Sequence, residues 1–361
     1  MAYKKICVFL ICASCSLFGK STIPPWLSSV PRSDRTGLVI ASKKIALNGA
    51  VAPSNASLVK RGDGYLLFFT HDAWLPKKVP YPTDGISKFT LKRRIGVAHL
   101  DKDFNHTEEK VRFIMGPDFW MDPRVFTIRG NIYAMYYNFL PKNMKKSVGV
   151  SSINPETLEI DKTKIVRTKT GGAEKNWIPL ISEETDPEHL PFIYAMCPTI
   201  SLTLDLSGKK PSLPSGLRFS TSAPPHWKWG PLCGGTHAIP VDGVWLSFFH
   251  SFFRTPKNKK CYVMGACTFS KDPPHKLLAI SSYPILFEGM CTTTINGQIG
   301  PLGNPRWGKR IDRVIFPCGL VSDKDEAGRE VFHVSCGEND VGVQIVTIDK
   351  KKLFKTLKSV L

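Results

Sequence analysis

Several apolar hairpins in this sequence carry polar side chains near their open ends. In GGTHAIPVDGVWLSFFHS, residues 234–251, an Asp242-Gly243 turn separates two apolar runs, and His237 and His250 lie towards the ends away from the turn. An Asp-Gly pair between apolar runs is a strong signal for a β-hairpin with a two-residue turn. Chance explains polar ends on one hairpin, but it does not explain a layout that recurs along the chain.

The polar residues of these hairpins are of the types that bind and cleave sugars. Carboxylates and amides make paired hydrogen bonds to hydroxyl groups, aromatic rings pack on a sugar face, and a carboxylic acid transfers protons. The residues that would line such a site are Asn55, Asp72, Asp122, Arg124, Asn138, Glu174, Lys175, His237, His250 and Asp340.

Repetition of the hairpin along the chain predicts how these side chains are brought together. Three more hairpins have turns at Gly62–Gly64, at Gly130-Asn131 and around 325–328. A fifth unit, with a longer loop, joins EKNWIPL to PFIYAMC. Repeated four-stranded units are typical of a β-propeller, in which inner strand ends surround a central channel. The sequence therefore predicts an all-β fold: one five-bladed β-propeller over residues 40–350, with a short C-terminal helix in KKKLFKTLKSVL.

The composition is that of a globular protein with an excess of positive charge. The 361 residues are 42% hydrophobic and 22% charged, and the formal net charge is +19. Such a charge allows contact with phosphate, nucleic acid or anionic lipid, but it selects none of them. The cations are scattered in short clusters and no nucleic-acid-binding motif is present, so we expect no nucleic-acid partner.

The N-terminus has the layout of a secretory signal peptide over residues 1–19. Lys4 and Lys5 precede a short apolar run, Ile6–Ile11, which small residues follow. The run is too short to span a bilayer, so the alternative to a signal peptide is a buried N-terminal helix. We expect an exported protein: periplasmic, extracellular or anchored as a lipoprotein.

Cysteine usage indicates neither a metal site nor a full disulfide framework. Of the ten cysteines, seven lie outside the signal segment, and an odd number cannot all pair within one chain. None of these seven has the close Cys-x-x-Cys spacing of a zinc site, so no metal is expected. Export would leave room for one or two disulfides.

The order of the motifs resembles glycoside hydrolase family 130, the β-mannoside phosphorylases and related hydrolases, which are five-bladed β-propellers. Asn55-Ala56-Ser57 resembles the first motif of the family, and Met121-Asp122-Pro123-Arg124 resembles its Glu-Asp-Pro-Arg motif with the first acid replaced. Further matching segments are Glu174-Lys175-Asn176-Trp177, Trp245–His250, Tyr262–Ala266, Tyr283–Leu286, Val314–Gly319 and Cys336–Asp340.

The resemblance implies a role for most of the candidate residues. It places the catalytic acid at Asp122, although an Asp-Pro-Arg segment can also simply cap a turn. It implies that Arg124 binds a sugar hydroxyl or phosphate, or else pairs with an acid. Lys175 and His250 would contact an anion or the sugar. The remaining substrate-binding candidates are Asn55, Asp72, Asn138, Asn176, His237 and Asp340, and a base that activates water would be Glu174 or Glu338.

The resemblance implies an enzyme that cleaves or transfers a β-mannoside-type glycosidic bond without a cofactor. Three reactions stay open: phosphorolysis with inorganic phosphate as co-substrate, hydrolysis with a second carboxylate as base, and transfer to an acceptor hydroxyl. The phosphate-binding arginines of the family have no clear counterparts, and Gly234–His237 departs from the Pro-rich stretch of the family. The alternative from another class is a non-catalytic exported propeller that binds glycans or a protein.

Overall fold

A computed structural model gives the fold of residues 27–50, 52–73, 92–114, 120–140, 145–167, 176–208, 218–220, 227–294 and 311–360. The predicted signal segment, residues 1–19, lies outside this described part, as do Glu174 and Lys175. No helix in the described part is long and apolar enough to cross a membrane.

The described chain is built almost entirely of β-strands, as predicted. The strands up to the middle of the chain are β1 (Val39–Lys44), β2 (Pro53–Arg61), β3 (Gly64–Ala73), β4 (Lys92–Leu100), β5 (Arg112–Ile114), β6 (Trp120–Ile128), β7 (Asn131–Leu140), β8 (Lys145–Ile153), β9 (Ile160–Arg167), β10 (Ile178–Pro179), β11 (His189–Met196), β12 (Thr199–Asp205) and β13 (Arg218–Ser220). The later elements are β14 (Cys233–Gly234), β15 (Ile239–Val241), β16 (Val244–Arg254), β17 (Lys260–Ser270), β18 (Leu277–Ser281), β19 (Ile311–Arg313), β20 (Ile315–Lys324), β21 (Glu330–Glu338), β22 (Gly342–Asp349), α1 (Lys350–Thr356) and β23 (Leu357–Ser359).

Four sheets have the four-stranded form of a propeller blade, with the orders β2-β3-β4-β5, β6-β7-β8-β9, β10-β11-β12-β13 and β20-β21-β22-β1. Because β1 pairs with β22, the first strand of the chain completes the last of these sheets. The remaining sheet has seven strands, β14-β16-β17-β18-β23 with β15 on β16 and β19 on β17. The prediction of five blades is therefore corrected to four blades and one larger sheet, because segments distant in sequence add strands to it.

Apolar clusters lie between consecutive sheets and close the arrangement into a ring. Each cluster draws buried residues from two neighbouring sheets, including the last and the first. One pair from each interface is Val59 with Val125, Phe126 with Phe192, Ile193 with Phe249, Phe248 with Ile315, and Leu58 with Val321. Burial of this kind stabilises folding by roughly 25 cal/mol per Å² of apolar surface, so the interfaces between sheets hold the inner strands in place.

Two inner strands are irregular where they begin. The pairing of β2 with β3 shifts register between Ser54 and Ser57, and the pairing of β6 with β7 shifts between Met121 and Arg124. Such β-bulges bend a strand and turn a side chain away from the regular alternation. The structure thus places irregular backbone at the candidate site, where the strand starts converge.

Candidate active site

The site is built on two residues that sit inside these bulges. Asn55 has φ +48° and Asp122 has φ +54°, in the left-handed region that few non-glycine residues adopt and in which Asn and Asp are enriched. The bulges bring the two side chains together, and Asn55 Nδ2 donates to Asp122 Oδ1 at 2.6 Å. The backbone N–H of Asp122 donates to Thr70 Oγ1 at 2.9 Å, which fixes the main chain as well.

The Arg124 side chain joins the inner parts of several sheets. Its Nε donates to the carbonyl of Gly235 at 2.8 Å and its Nη1 donates to the carbonyl of Asp122 at 2.9 Å. Its Nη2 donates to Asn176 Oδ1 at 3.3 Å, and its Cζ lies 5.8 Å from the centroid of the Phe316 ring. A guanidinium presents its donors in a rigid fork, so one side chain can hold three acceptors at fixed angles. Arg124 is buried and positions Asp122 through the backbone.

The charge of Asp340 acts on the same buried thiol as the charges of Asp122 and Arg124. The thiol of Cys318 is buried, and burial raises its pKa; the Arg124 charge opposes this shift, while the carboxylates of Asp122 and Asp340 add to it. Two carboxylates and one guanidinium therefore act on one buried atom. Asp340 also has a left-handed backbone, φ +57°. Hydrogen bonds join Asp122 to Asn55 and Arg124, and the role of Asp340 in the site stays a prediction.

The two predicted histidines lie in different surroundings. His250 is buried against the ring of Phe316, with a centroid distance of 4.2 Å, and so lies beside the aromatic contact of Arg124. His237 packs 6.0 Å from the ring of Phe126, and its burial lowers its pKa to about 4 although a backbone hydrogen bond with Leu320 opposes the shift. No contact in the described part joins His237 to Asp122 or Arg124. His237 is buried, and its predicted role in substrate binding stays a prediction.

Glu338 has a structural position and not that of a base. Its carboxylate is fully buried and accepts from the backbone N–H of Thr292 at 2.7 Å and of Thr293 at 3.2 Å. Lys44 of β1 lies 3.1 Å away as an ion-pair partner. Because Oε1 accepts from the loop amides and Lys44, and Oε2 accepts from the hydroxyl of Thr293, Glu338 holds the 292–293 loop against β21.

Some predicted residues fall outside what the structure describes. Glu174 and Lys175 lie outside the described residues. Asp72 and Asn138 lie in β3 and β7, but the orientation of their side chains is outside the described part. Their predicted roles stay predictions.

Several residues that support the site were not singled out from the sequence. Ser57 Oγ accepts from the Val125 N–H at 2.8 Å and so fastens β2 to β6 directly below Asn55 and Asp122. A Cβ atom at Gly337 would collide with Asn55, and a Cβ atom at Gly235 would collide with the carbonyl oxygen of Phe248. Both positions therefore require glycine. Ser57 and Gly337 had a sequence signal, because they belong to the Asn55-Ala56-Ser57 and Cys336–Asp340 motifs.

A small open cleft adjoins Arg124 and Asn176. Its free volume is about 10 Å³, room for about one water molecule, and its walls include Tyr136, Tyr137 and Trp177. Trp177 is buried, and Asn176 has φ +65°, which turns its side chain towards Arg124. The cleft places aromatic rings and the Asn176 amide beside the Arg124 guanidinium.

Comparison with known proteins adds evidence on the fold. No protein-family model and no curated protein matches this sequence. Solved structures do match. The β-1,2-mannobiose phosphorylase of Listeria innocua superposes with a TM-score of 0.58 at 14% identity, covering 87% of this chain and 92% of that chain. This chain has the fold of the mannoside phosphorylases.

Two further structures agree with this assignment. MPT-4, a mannose phosphorylase from Leishmania mexicana, matches with a TM-score of 0.51 at 13% identity over 90% of this chain and 92% of that chain. A structure from work on the GH130 family of mannoside phosphorylases and glycoside hydrolases matches with a TM-score of 0.54 at 13% identity, over 84% of this chain and 86% of that chain. The resemblance to family 130 is confirmed for the fold, and identities this low support nothing finer.

Proposed function

We propose that this chain is a carbohydrate-active enzyme that cleaves or transfers a β-mannoside-type glycosidic bond, with Asp122 as proton donor. The observation that carries the proposal is the Asn55–Asp122–Arg124 group, assembled from two bulged inner strands. Asn55 holds one carboxylate oxygen of Asp122, and the described residues give no partner to the other. That second oxygen is the one from which a proton would pass to the leaving group.

The surrounding residues supply what a general acid needs. A proton donor must be held within hydrogen-bond reach of the leaving oxygen and must keep its orientation during the reaction. Asn55 and Thr70 fix the Asp122 side chain and backbone, and Arg124 fixes the Asp122 carbonyl. The attacking group is then phosphate, water or an acceptor hydroxyl, with no metal or cofactor required. Because Glu338 is committed to the 292–293 loop, a hydrolytic base would be Asp340 or Glu174.

The test is a product screen with β-linked manno- and gluco-oligosaccharides, with and without inorganic phosphate. Asp122→Asn retains the acceptor oxygen that faces Asn55 but loses the transferable proton. We expect turnover to fall by about a hundred- to ten-thousand-fold, with little change in sugar affinity. Full turnover by Asp122→Asn would exclude Asp122 as the acid.

A second candidate is a non-catalytic propeller that binds glycans. It is favoured by the burial of Asp122 and Arg124. Both residues hold inner strands together through hydrogen bonds, and this structural role requires no catalysis. This candidate predicts that wild-type protein binds a glycoside and releases no product from any member of the screen. Binding by calorimetry and product release, measured on the same samples, separate the two functions.

A further inference from the structure

The end of the β16–β17 hairpin extends past the inner edge of its sheet. Strand β14 pairs with β16 only at Cys233 with His250 and at Gly234 with Phe249. Strand β16 continues for four more residues to Arg254, which pairs with Lys260 of β17. At about 3.3 Å per residue this end reaches about 13 Å beyond the last β14 pair. We call residues 250–264 the rim hairpin.

Both edges of the rim hairpin are supported. Ser251 Oγ donates to the carbonyls of Trp229 at 2.7 Å and Pro231 at 2.8 Å on one edge. On the other edge β19 pairs with β17 at Lys260 and Cys261. A hairpin held on two sides keeps its shape, so its exposed groups are pre-arranged for a ligand.

One face of the rim hairpin carries aromatic and basic groups. His250, Phe252 and Arg254 alternate along β16 and therefore share a face. Their neighbours across the strand pair include Tyr262, opposite Phe252, and Lys260, opposite Arg254. Directly opposed residues point to the same side of a sheet. The side chains on this face therefore change from aromatic to cationic towards the tip of the hairpin.

The aromatic groups connect this face to the catalytic centre. The ring of Phe316, which lies against Arg124, is 4.2 Å from His250, and His250 is 6.2 Å from Tyr262. Tyr262 is in turn 5.4 Å from Phe252. Phe316 and His250 are buried, whereas Tyr262 and Phe252 are half-buried. The rings thus become accessible with increasing distance from Asp122.

The tip of the rim hairpin is cationic. Arg254, Lys257 and Lys260 lie within seven residues, and the described part of the chain places no carboxylate in an ion pair with any of them. Lys260 Nζ lies 4.5 Å from the centre of the Phe252 ring. At the inner end of the face, burial raises the pKa of the Tyr262 phenol, and the charge of Asp340 adds to this shift. An anion is therefore favoured at the tip and disfavoured near the acid.

We propose that the rim hairpin is a distal binding site for an oligosaccharide whose leaving-group end carries an anionic substituent. The sugar units beyond the cleaved bond would contact Tyr262 and Phe252, and the anionic group would sit between Arg254 and Lys260. This inference rests on the proposed function, because it extends the same sugar site outward. It specifies the substrate class as acidic rather than neutral glycans.

The test compares three β-linked manno-tetrasaccharides: a neutral one, one with a phosphate ester and one with a carboxylate, each at the leaving-group end. Affinity is measured by calorimetry in the Asp122→Asn background, so that no ligand is consumed. Two exposed ion pairs are together worth about tenfold in affinity, so we expect the anionic tetrasaccharides to bind about tenfold tighter than the neutral one at low salt. Raising the ionic strength should reduce this preference.

Two double variants with equal charge change locate the effect. Arg254→Gln with Lys260→Gln should abolish the preference for the anionic ligand. Lys271→Gln with Lys276→Gln neutralises two exposed lysines at the opposite end of the same sheet and should preserve it. Phe252→Leu keeps the apolar volume and should weaken tetrasaccharide binding a few-fold, while disaccharide binding stays unchanged.

The outcomes separate this inference from the proposed function. Binding of all three tetrasaccharides with equal affinity, or equal loss of preference in both double variants, overturns the distal site and leaves the proposed function standing. Inorganic phosphate that competes as well as the phosphorylated tetrasaccharide shows an anion site without sugar recognition and also overturns the inference. Absence of binding and of turnover for every oligosaccharide defeats the proposed function, and the inference falls with it.

Discussion

At the scale of single residues, the geometry of the site depends on Arg124 more than its sequence context suggests. The motif resemblance left open whether Arg124 binds a sugar hydroxyl or phosphate or pairs with an acid. The structure gives its donors to two carbonyls and to Asn176 instead. Asp122 and Asn55 could be found because their motifs are local. The three acceptors of Arg124 could not, because one lies two residues away and the others lie 52 and 111 residues away.

Arg124→Lys should therefore loosen Asp122 without removing positive charge. An ammonium on a flexible stem cannot hold three separated acceptors, so buried carbonyls lose their donors at a cost of about 1–3 kcal/mol each. We expect a lower unfolding midpoint and a kcat reduced by about tenfold or more, with KM nearly unchanged, because the sugar contacts remain. A rise in KM at constant kcat would instead assign Arg124 to substrate binding.

At the scale of elements, local turn chemistry was a good guide and distant pairing was not. The hairpins predicted at Gly62–Gly64, Gly130-Asn131, Asp242-Gly243 and 325–328 are confirmed as β2–β3, β6–β7, β15–β16 and β20–β21. The C-terminal helix is also confirmed, but it ends at Thr356 and the chain returns as β23 beside β18. Strands such as β1, β19 and β23 pair with segments that no short sequence window contains.

The contact of Glu338 with the 292–293 loop gives a prediction at this scale. Glu338→Gln can keep Oε1 as the acceptor of both loop N–H groups, but it removes the charge that faces Lys44 and places an amide NH2 where Oε2 accepts from the Thr293 hydroxyl. We expect a lower unfolding temperature and unchanged turnover per folded molecule. Loss of turnover at full stability would restore Glu338 as a catalytic base, so thermal unfolding and kcat must be measured on the same preparation.

At the scale of the whole molecule, the sequence predicted the all-β propeller-like arrangement because the hairpin unit repeats. It could not predict the sheet with seven strands, because β19 and the C-terminal strand β23 join that sheet from positions that are distant in the sequence. The order of motifs was informative because it follows the order of the inner strands round the ring.

Export of the protein stays a proposal at this scale. Cleavage of the signal segment after Cys15 or Gly19 predicts a mature chain that begins near residue 16 or 20. N-terminal sequencing of the protein from its native cell checks this, and an intact Met1 would refute processing.

The last prediction concerns stability against acid, which two buried histidines should control. Burial lowers the folded-state pKa of His237 to about 4, and that of His333 also to about 4 despite the nearby Asp323 carboxylate. The ordinary value is 6.5, so the unfolded chain binds more protons than the folded protein between these two values. Stability from these histidines is complete above pH 6.5 and is lost as the pH falls towards 4, by at most about 3 kcal/mol for each.

Denaturant unfolding at pH 7.5, 6.5, 5.5 and 4.5 should show this decline, and His333→Gln should make it less steep. His189→Gln is the control, because the exposed His189 has a pKa raised by its hydrogen bond with Asp186, and its contribution runs in the opposite direction. A decline equally steep in wild type and His333→Gln would show that other groups, and not this histidine, set the acid limit of the fold.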